Sequence, residues 1–214
     1  MDITHLGHSS FKIRGRVATV ITDPYSKDLV GIKFPTVEAN IVTVSHQHND
    51  HNNTSAVSGN PIIIAGPGEY EIKGVRIIGV ASYHDATSGS ERGRNTIYRI
   101  EIDAITIVHC GDLGHKLKDD DIELLSGADV LLIPVGGFYT ISAEVAKEVV
   151  TQLEPMIIIP MHYNYASLDQ KNFGKLTKVD DFIAAMGKDN IAPVPKLTIT
   201  KDKLPVEQTI VVLE

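Results

Sequence analysis

Short apolar runs separated by glycine, proline, asparagine and aspartate make up most of the chain. Short runs of this kind, rich in β-branched side chains, are typical of strands. Gly66-Pro67-Gly68 predicts a turn between two such runs, and Asp103-Ala104 predicts a hairpin. The pattern predicts strands at Ile3–Leu6, Phe11–Ile13, Ala18–Thr22, Ile41–Ser45, Pro61–Ala65, Val75–Val80, Thr96–Ile102, Ile105–His109, Val130–Pro134, Met156–Pro160, Leu197–Ile199 and Thr209–Leu213.

Helical spacing of apolar residues is confined to the second half of the chain. The pattern predicts helices at Asp119–Leu125, Ala143–Leu153 and Val179–Met186. The middle helix has the strongest support, because Ser142 can cap its N-terminus. Its apolar stripe is predicted to consist of Val145, Val149 and Leu153.

The order of these elements indicates the fold class. Strands and helices alternate only after about residue 110, so a strand-rich first half is followed by the order β-α-β-α-β. This order predicts an α/β fold, α+β in the strict sense, with sheets packed together and helices outside. The length of 214 residues and the hydrophobic content of 43% suit one domain over residues 1–214.

Charge and cysteine content narrow the expected surroundings. The net charge of −7 argues against a surface that neutralises phosphates, so no nucleic-acid partner is expected. No apolar run is long enough for a membrane helix, and the N-terminus lacks the regions of a signal peptide. The single cysteine, Cys110, permits no internal disulfide and suits a reducing compartment. We therefore expect a cytoplasmic protein.

The most informative polar stretch is His46-Gln47-His48-Asn49-Asp50-His51. Alternate side chains of an extended segment point the same way, so His46, His48 and Asp50 can converge. A turn at Asp50 lets His51 join them. Imidazole nitrogens and carboxylate oxygens are ligands of zinc and similar ions at catalytic sites. The stretch predicts a metal site, and the alternative is a solvated polar loop.

Three further ligand types follow predicted strands. His84 follows the strand that begins at Val75, Asp112 follows Ile105–His109, and His162 follows Met156–Pro160. Alone, each has an ordinary explanation, a structural histidine or a turn aspartate. Because loops at strand ends are the preferred place for sites in layered α/β proteins, we expect all three to join the histidine cluster.

Taken in order, the motifs along the chain resemble those of a known family. They are Thr4-His5-Leu6-Gly7-His8-Ser9-Ser10, Thr22-Asp23-Pro24, the His46–His51 stretch, His84, Gly111-Asp112, Pro134-Val135-Gly136-Gly137 and Pro160-Met161-His162-Tyr163. Together they resemble the metallo-β-lactamase fold superfamily, over nearly the whole chain. The branch that they resemble contains small metal-dependent hydrolases related to the bacterial ascorbate-6-phosphate lactonases.

The resemblance implies a four-layer αβ/βα sandwich with two divalent metal ions at one edge of its sheets. The first ion would be bound by His46, His48 and His84. The second would be bound by Asp50, His51 and His162. Asp112 would bridge both ions together with a hydroxide. Zinc is the expected metal, and manganese and iron are alternatives. The segment between His51 and Pro61 is short for the helix usual there, so we expect a trimmed first half.

Supporting roles are open for several neighbouring residues. Asp50 could orient the hydroxide or move a proton. His8 could act as an acid or contact the substrate, and the alternative is a structural hydrogen bond. Asp23 and Asp85 could accept the second N–H of ligand imidazoles, or they could be plain turn residues.

Other polar residues have ordinary explanations as well. Arg92 and Arg94 could clamp an anionic group, the alternative being a solvated loop. For His109 we expect a core or supporting position. For His115 we expect an exposed one, and the alternative is binding of an anionic group. Cys110 is expected to be buried and not a nucleophile.

The leading function is a metal-dependent hydrolase that uses an activated hydroxide on a small ester, lactone, amide or phosphoester, with an anionic substrate as one option. One alternative is an iron-dependent oxidoreductase with a related ligand set. Another is a non-catalytic protein that binds a metal or metabolite. A small-molecule substrate is the expected partner, and a homo-oligomer remains open. Fold resemblance alone does not choose among these chemistries.

Overall fold

Two mixed sheets form the centre of the structure. The computed structural model describes residues 1–214, with elements numbered here in chain order. The first sheet has six strands, antiparallel from β14 to β3 and parallel from β3 to β7. In spatial order they are β14 (Leu197–Thr198), β1 (Asp2–Gly7), β2 (Ser10–Arg14), β3 (Thr19–Thr22), β5 (Ile41–Thr43) and β7 (Ile62–Ile64).

The second sheet has seven strands, antiparallel from β8 to β11 and parallel from β11 to β15. In spatial order they are β15 (Thr209–Ile210), β13 (Ile157–Met161), β12 (Val130–Pro134), β11 (Ile105–His109), β10 (Arg94–Ile102), β9 (Val75–Tyr83) and β8 (Gly68–Ile72). A separate parallel pair joins β4 (Val37–Glu38) to β6 (Val57–Ser58).

The main core lies between the two sheets. Forty-one buried residues form one cluster, which includes Phe11 and Ile13 of β2 and Ile97 and Ile100 of β10. Strands β12 and β13 are buried at every position, as expected for parallel strands covered on both faces. Their outer cover consists of α2 (Asp119–Leu125), α3 (Ala143–Leu153) and α5 (Val179–Ala185).

Two short helices cover the outer face of the first sheet. They are α1 (Lys27–Val30) and α4 (Gln170–Phe173). A second cluster of 11 buried residues, which includes Tyr25 and Phe173, lies beneath them. The four-layer αβ/βα sandwich is therefore present, with a thin helical layer over the first sheet. Between His51 and Pro61 the helical structure is limited to a 3-10 turn at Thr54–Ala56, as the short segment predicted, and β6 follows it directly. No helix has the length and apolarity needed to cross a bilayer.

Most predicted elements are present, with ends that differ by a few residues. At α3 the prediction of Ser142 as the cap is confirmed, since its hydroxyl accepts from the Val145 N–H at 3.4 Å. The predicted stripe was partly wrong, because Val145 is only half-buried whereas Ala146 and Val150 are buried. The elements that the pattern missed are β4, β6, β8, α1 and α4.

The edge of the sandwich that matters for function is where β5, β9, β11 and β13 end. Strands β9 and β11 are both antiparallel to β10, so their carboxyl ends meet at the same edge. The two sheets are joined there, because the Thr96 N–H donates to the Ser45 carbonyl at 2.9 Å. The Tyr98 hydroxyl also donates to the Val44 carbonyl at 2.9 Å. The loops after these strands are thereby brought together.

Candidate metal centre

All seven predicted metal ligands lie in one cluster at this edge. The potential ligand atoms form three overlapping groups, each with its atoms within 4.8 Å of one another. The groups are His46, His48 and His84; His46, His51 and Asp112; and His8, Asp50, His51 and His162. The first group is the predicted first set, and the third adds His8 to the predicted second set. Which of these side chains bind metal stays a prediction.

Asp112 lies at the centre of the cluster. Its Oδ2 is 3.2 Å from Nε2 of His51, of His84 and of His162. Two ligands of one tetrahedral zinc, each bound at roughly 2.0–2.1 Å, are about 3.3 Å apart. The other carboxylate oxygen, Oδ1, is buried and has no hydrogen-bond partner. The spacing around this carboxylate fits shared cations.

The tautomer of His51 provides a test of this fit. Asp23 Oδ2 lies 2.8 Å from His51 Nδ1 and, as a carboxylate oxygen, can only accept, so Nδ1 carries the proton. In the neutral ring, Nε2 then carries a lone pair. This nitrogen faces Asp112 Oδ2 at 3.2 Å and Asp50 Oδ2 at 3.6 Å. Three lone pairs that face one another in a buried site repel unless a positive charge lies among them. When no metal is bound, a second proton on His51 supplies that charge. Burial lowers the pKa of His51, but Asp112 and Asp50 raise it well above its ordinary value.

The imidazoles of His46 and His48 are in the protonation state that metal ligands need. Burial, and then the neighbouring His51, lower the pKa of His46 to about 3. Burial, and then His84, lower the pKa of His48. A neutral imidazole offers a lone pair, whereas an imidazolium does not. The donor set therefore fits divalent ions that accept nitrogen and oxygen ligands.

Asp23 supports the cluster from behind. Its carboxylate accepts from the Ser45 N–H at 2.7 Å, from the Ser45 hydroxyl at 2.6 Å and from His51. Burial raises the pKa of Asp23, but His109 and His51 outweigh it and lower the pKa overall. The structure thus places Asp23 as the predicted acceptor for a ligand imidazole.

Asp85 does not have that role, and the alternative prediction, a turn residue, is confirmed for it. Its carboxylate accepts backbone N–H groups of its own loop, including those of Gly89 and Arg92, each at 2.7 Å. Asp85 was expected to accept a hydrogen bond from His84 Nδ1, but that nitrogen is buried without a partner. Asp85 closes the loop at residues 85–92, because a short carboxylate side chain reaches nearby backbone donors first.

His8 lies behind Asp50. Its Nε2 is 3.2 Å from Asp50 Oδ2, and the residue is 1% exposed. Burial, and then His162, lower the pKa of His8 to about 4, so a neutral ring donates this hydrogen bond at neutral pH. Burial raises the pKa of Asp50, but His51 and the bond from His8 lower it overall. Direct contact between His8 and a substrate, one of the two predicted roles, is not supported by this buried position.

The backbone at His8 and His162 is strained. Both residues have positive φ angles, 55° and 52°, which residues other than glycine rarely adopt. The His162 N–H donates to the His8 carbonyl at 3.2 Å, and His5 Nε2 donates to the same carbonyl at 3.1 Å. Strain of this kind persists only when surrounding contacts fix the backbone, and it concentrates at functional sites.

Comparisons with known proteins agree with this geometry. The family model described as the beta-lactamase superfamily domain matches residues 2–162, which is most of the chain. The chain belongs to the metallo-β-lactamase superfamily. A UPF0173 metal-dependent hydrolase of Thermococcus onnurineus is 30% identical, over 82% of this chain and 92% of the relative. These findings confirm the resemblance and the fold class.

Two solved structures of the superfamily fold show how far the likeness extends. A proposed Zn-dependent hydrolase of this superfamily from Thermotoga maritima has a TM-score of 0.81 and 38% identity, over 99% of this chain and 97% of that one. A diiron β-hydroxylase from Streptomyces venezuelae has a TM-score of 0.62 and 12% identity, over 93% of this chain and 54% of that one. The latter likeness shows the fold alone.

The buried Asn95 of this superfamily member positions Asp112. Asn95 Oδ1 accepts from the Asp112 N–H at 3.0 Å, while its Nδ2 donates to the Cys110 carbonyl at 2.9 Å. His109 Nε2 donates to the Ser9 carbonyl at 2.8 Å, which confirms its expected supporting place. The sequence did not identify Asn95 as a supporting residue, because a single asparagine at the start of a strand is typical of a strand boundary. Ser45 was not identified either, although a polar residue that ends a buried strand beside His46 indicates a supporting role.

The prediction for Cys110 is confirmed, and the prediction for His115 is corrected. Cys110 is fully buried, and burial raises the pKa of its thiol, so it is not an activated nucleophile. His115 was expected at the surface, but it is half-buried. Its Nε2 accepts from the Tyr83 N–H at 3.1 Å, which satisfies the backbone where β9 ends.

A cavity of about 490 Å³ opens over the cluster, and we name it the metal-facing cavity. His48, Asp50, His84 and Asp112 line one side of it, and residues of the α1 and α4 layer line the other. The second side includes the apolar Leu29 and Phe173, together with Tyr139 and Asn172. The cavity therefore has one side formed by predicted ligands and one side that is partly apolar.

Proposed function

We propose that this protein is a hydrolase in which two divalent ions activate a hydroxide for attack on a small ester, lactone, amide or phosphoester. The observation that carries the proposal is the His51 lone pair facing the carboxylates of Asp50 and Asp112. Without a metal these groups need a second proton on His51, and a divalent ion supplies the same positive charge in its place. The names of the curated relatives, metal-dependent hydrolases, support the same reading.

In this proposal His46, His48 and His84 would hold the first ion. Asp50, His51 and His162 would hold the second, and Asp112 would be shared by both. Bound ions of this kind lower the pKa of a shared water, so that hydroxide is available near neutral pH. Zinc is the proposed metal, because all seven ligands are imidazoles or carboxylates, and manganese and iron are the alternatives.

The chain's own residues orient the reactants and move protons. Asp50 lies at the wall of the metal-facing cavity, where its carboxylate can orient the attacking water. His8 holds a proton at Nε2 against Asp50 Oδ2, 3.2 Å away. In this proposal Asp50 takes the proton that the attacking water loses and passes it to the leaving group. His8 acts as a positioning residue, because its hydrogen bond holds the Asp50 carboxylate in place. Asp23 keeps His51 in the tautomer that presents Nε2 to the cluster.

We also propose that the protein works in the cytoplasm on a small metabolite, without a nucleic-acid partner. The net charge of −7 and the single buried Cys110 support this setting.

The decisive experiment begins with metal content. The purified protein is analysed for bound metals, stripped with a chelator and reloaded separately with zinc, manganese and iron. Each form is assayed against chromogenic esters, lactones, amides and phosphodiesters, and oxygen consumption is followed in parallel. We expect hydrolysis that the chelator abolishes and a metal restores. Oxygen consumption by the iron form without hydrolysis would favour the oxidoreductase, and no turnover by any form would favour a binding protein.

The ligand set is tested with paired histidine variants. His48→Ala is expected to lower the bound metal sharply, because His48 is one of three imidazoles in the proposed first site. His115→Ala is the matched control, since that imidazole bonds only to backbone groups, the Tyr83 N–H and the Lys116 carbonyl. Elemental analysis of both proteins gives the result. A full metal complement in His48→Ala would remove His48 from the site.

A further inference from the structure

A second cavity lies on the other side of His48, and we name it the arginine cavity. It measures about 380 Å³ and includes Ser45, Gly66, Arg94 and Thr96 in its lining. Gln47, His48 and Arg92 line both this cavity and the metal-facing cavity. The proposed first metal site therefore lies at a wall shared by two adjoining spaces.

The two cavities differ in charge. The metal-facing cavity has two carboxylates in its lining, Asp50 and Asp112, whereas the arginine cavity has none. Arg94 has no carboxylate within ion-pairing distance of 4.0 Å and makes no side-chain hydrogen bond. Its guanidinium thus keeps all its donors for a ligand. Arg92 pairs with Glu91 at 3.8 Å, so the positive potential of this cavity comes mainly from Arg94.

Both arginines are attached to fixed backbone. Arg94 begins β10 and pairs with Tyr83 of β9. The Arg92 N–H donates to the Asp85 carboxylate at 2.7 Å, and its Nη2 donates to the Phe138 carbonyl at 3.3 Å. Asp85 also follows the proposed ligand His84 directly, so the loop that carries Arg92 is fixed relative to the metal cluster. Such preorganisation limits the entropy lost when a ligand binds.

We propose that the arginine cavity binds an anionic group of the substrate, a carboxylate or phosphate, while the scissile bond lies at the metal cluster in the adjoining cavity. This inference rests on the proposed hydrolase function and narrows it to small anionic substrates. Their less polar part lies against Leu29 and Phe173. Arginine suits this role, because its planar fork matches the oxygens of both anions.

The test uses Arg94→Gln, because Arg94 is exposed and its replacement leaves the core intact. Arg14→Gln is the matched control, since Arg14 is also exposed, at the end of β2, and lies outside both cavities. Both proteins and the wild type are titrated calorimetrically with inorganic phosphate and with acetate, after chelator treatment of the full chain. Circular dichroism confirms that each protein is folded. Losing a hydrogen bond to a charged group weakens binding by about tenfold or more.

We expect Arg94→Gln to weaken phosphate or acetate binding at least tenfold, and Arg14→Gln to match the wild type. The anion that binds more tightly identifies the natural group. Equal binding by Arg94→Gln and Arg14→Gln, or no binding of either anion by the wild type, would overturn the inference.

A second measurement separates this inference from the proposed function. The metal-loaded proteins are assayed with paired esters that differ only in a terminal carboxylate, phosphate or methyl group. We expect Arg94→Gln to lower the ratio of kcat/KM for the anionic over the neutral ester at least tenfold. If no ester is hydrolysed but anion binding depends on Arg94, the hydrolase proposal fails and the anion site stands. If esters are hydrolysed with an unchanged ratio, the anion site fails alone.

Discussion

Asp23 shows how a single buried carboxylate can set the chemistry of its neighbours. It has the left-handed φ of 41°, it is fully buried, and it accepts two hydrogen bonds from Ser45 and one from His51. The bond from His51 fixes which ring nitrogen faces the cluster. At the scale of the residue, the metal centre therefore depends on side chains that do not touch the proposed metals.

Asp23→Asn should lower metal affinity. The amide lacks the charge that strengthens the bond from His51, and its NH₂ group cannot accept from Ser45 or His51. Removing such a supporting acceptor typically weakens metal binding by roughly 10–100-fold. Competition with a chromophoric chelator measures the change. Asp129→Asn is the control, because Asp129 is a buried carboxylate that accepts from Lys201 at the opposite edge. Equal affinities in the two variants would contradict the role of Asp23.

Asn95→Ala should destabilise the fold around Asp112. The change leaves the buried Asp112 N–H and Cys110 carbonyl without partners, at about 1–3 kcal/mol for unsatisfied groups. Urea unfolding of the metal-free protein measures the loss. Asn40→Ala, which removes a half-buried acceptor for the Thr19 N–H away from the site, should leave metal affinity unchanged. An Asn95→Ala protein with wild-type stability and metal affinity would disprove this account.

At the scale of the element, the site is assembled from loops that follow strands. The loop after β9 carries His84, and the loop after β11 carries Asp112. These loops touch at Gly114, whose N–H donates to the Tyr83 carbonyl at 3.0 Å. A Cβ at Gly114 would lie 2.2 Å from the Asp85 nitrogen and 2.3 Å from the His84 carbonyl carbon. Only glycine permits this close approach of two ligand-bearing loops.

Gly114→Ala should therefore separate the loops, because backbone atoms cannot move aside as a flexible side chain can. We expect a loss of about 1–3 kcal/mol in the free energy of unfolding, together with weaker metal binding. Gly187→Ala is the control: its φ is +68° and no atom lies near the new Cβ, so only backbone strain of about 1–2 kcal/mol arises. Urea unfolding and elemental analysis compare them. Full metal content in Gly114→Ala would show that the contact is dispensable.

Strong local patterns made the main elements predictable. Helices α2 and α3 have the predicted bounds, and β11 and β12 do as well, because each has a clear run or period. The hairpin at Asp103-Ala104 is also confirmed, with positive φ at both residues. Elements β4, β6, α1 and α4 are only two to four residues long. They form through tertiary contacts, as when the Asp169 N–H donates to the Val30 carbonyl, which no local pattern encodes.

At the scale of the molecule, the residues that could be predicted are those whose chemistry is visible in one stretch. The His46–His51 cluster has that property, and the strand-end rule brought His84, Asp112 and His162 to it. Partners that meet across the fold were not predictable. Asn95 contacts Asp112 because β10 lies beside β11, and Asp85 closes its own loop because backbone donors surround it. Pairings of this kind follow from the packed fold.

The packed fold also buries a costly polar cluster between its layers. His51, His84, Asp112 and His162 are each at most 3% exposed, and several of their polar atoms have no hydrogen-bond partner. Unpaired buried polar groups destabilise the folded state. A metal that binds only the folded chain should offset this loss, so the metal-free protein should be measurably less stable than the loaded one.

Zinc at about 100 times its Kd should stabilise the folded state by about 2.7 kcal/mol. Each kcal/mol raises the Tm of a domain of this size by about 2–4 °C, so a shift of roughly 5–11 °C is expected. Thermal unfolding with zinc, and with zinc plus excess chelator, measures it. Magnesium should shift the Tm little, because it prefers a shell of oxygen ligands to imidazoles. His48→Ala should show a smaller shift with zinc, whereas His115→Ala should match the wild type. Identical Tm values with zinc and with chelator would mean that the cluster does not bind zinc in the folded state.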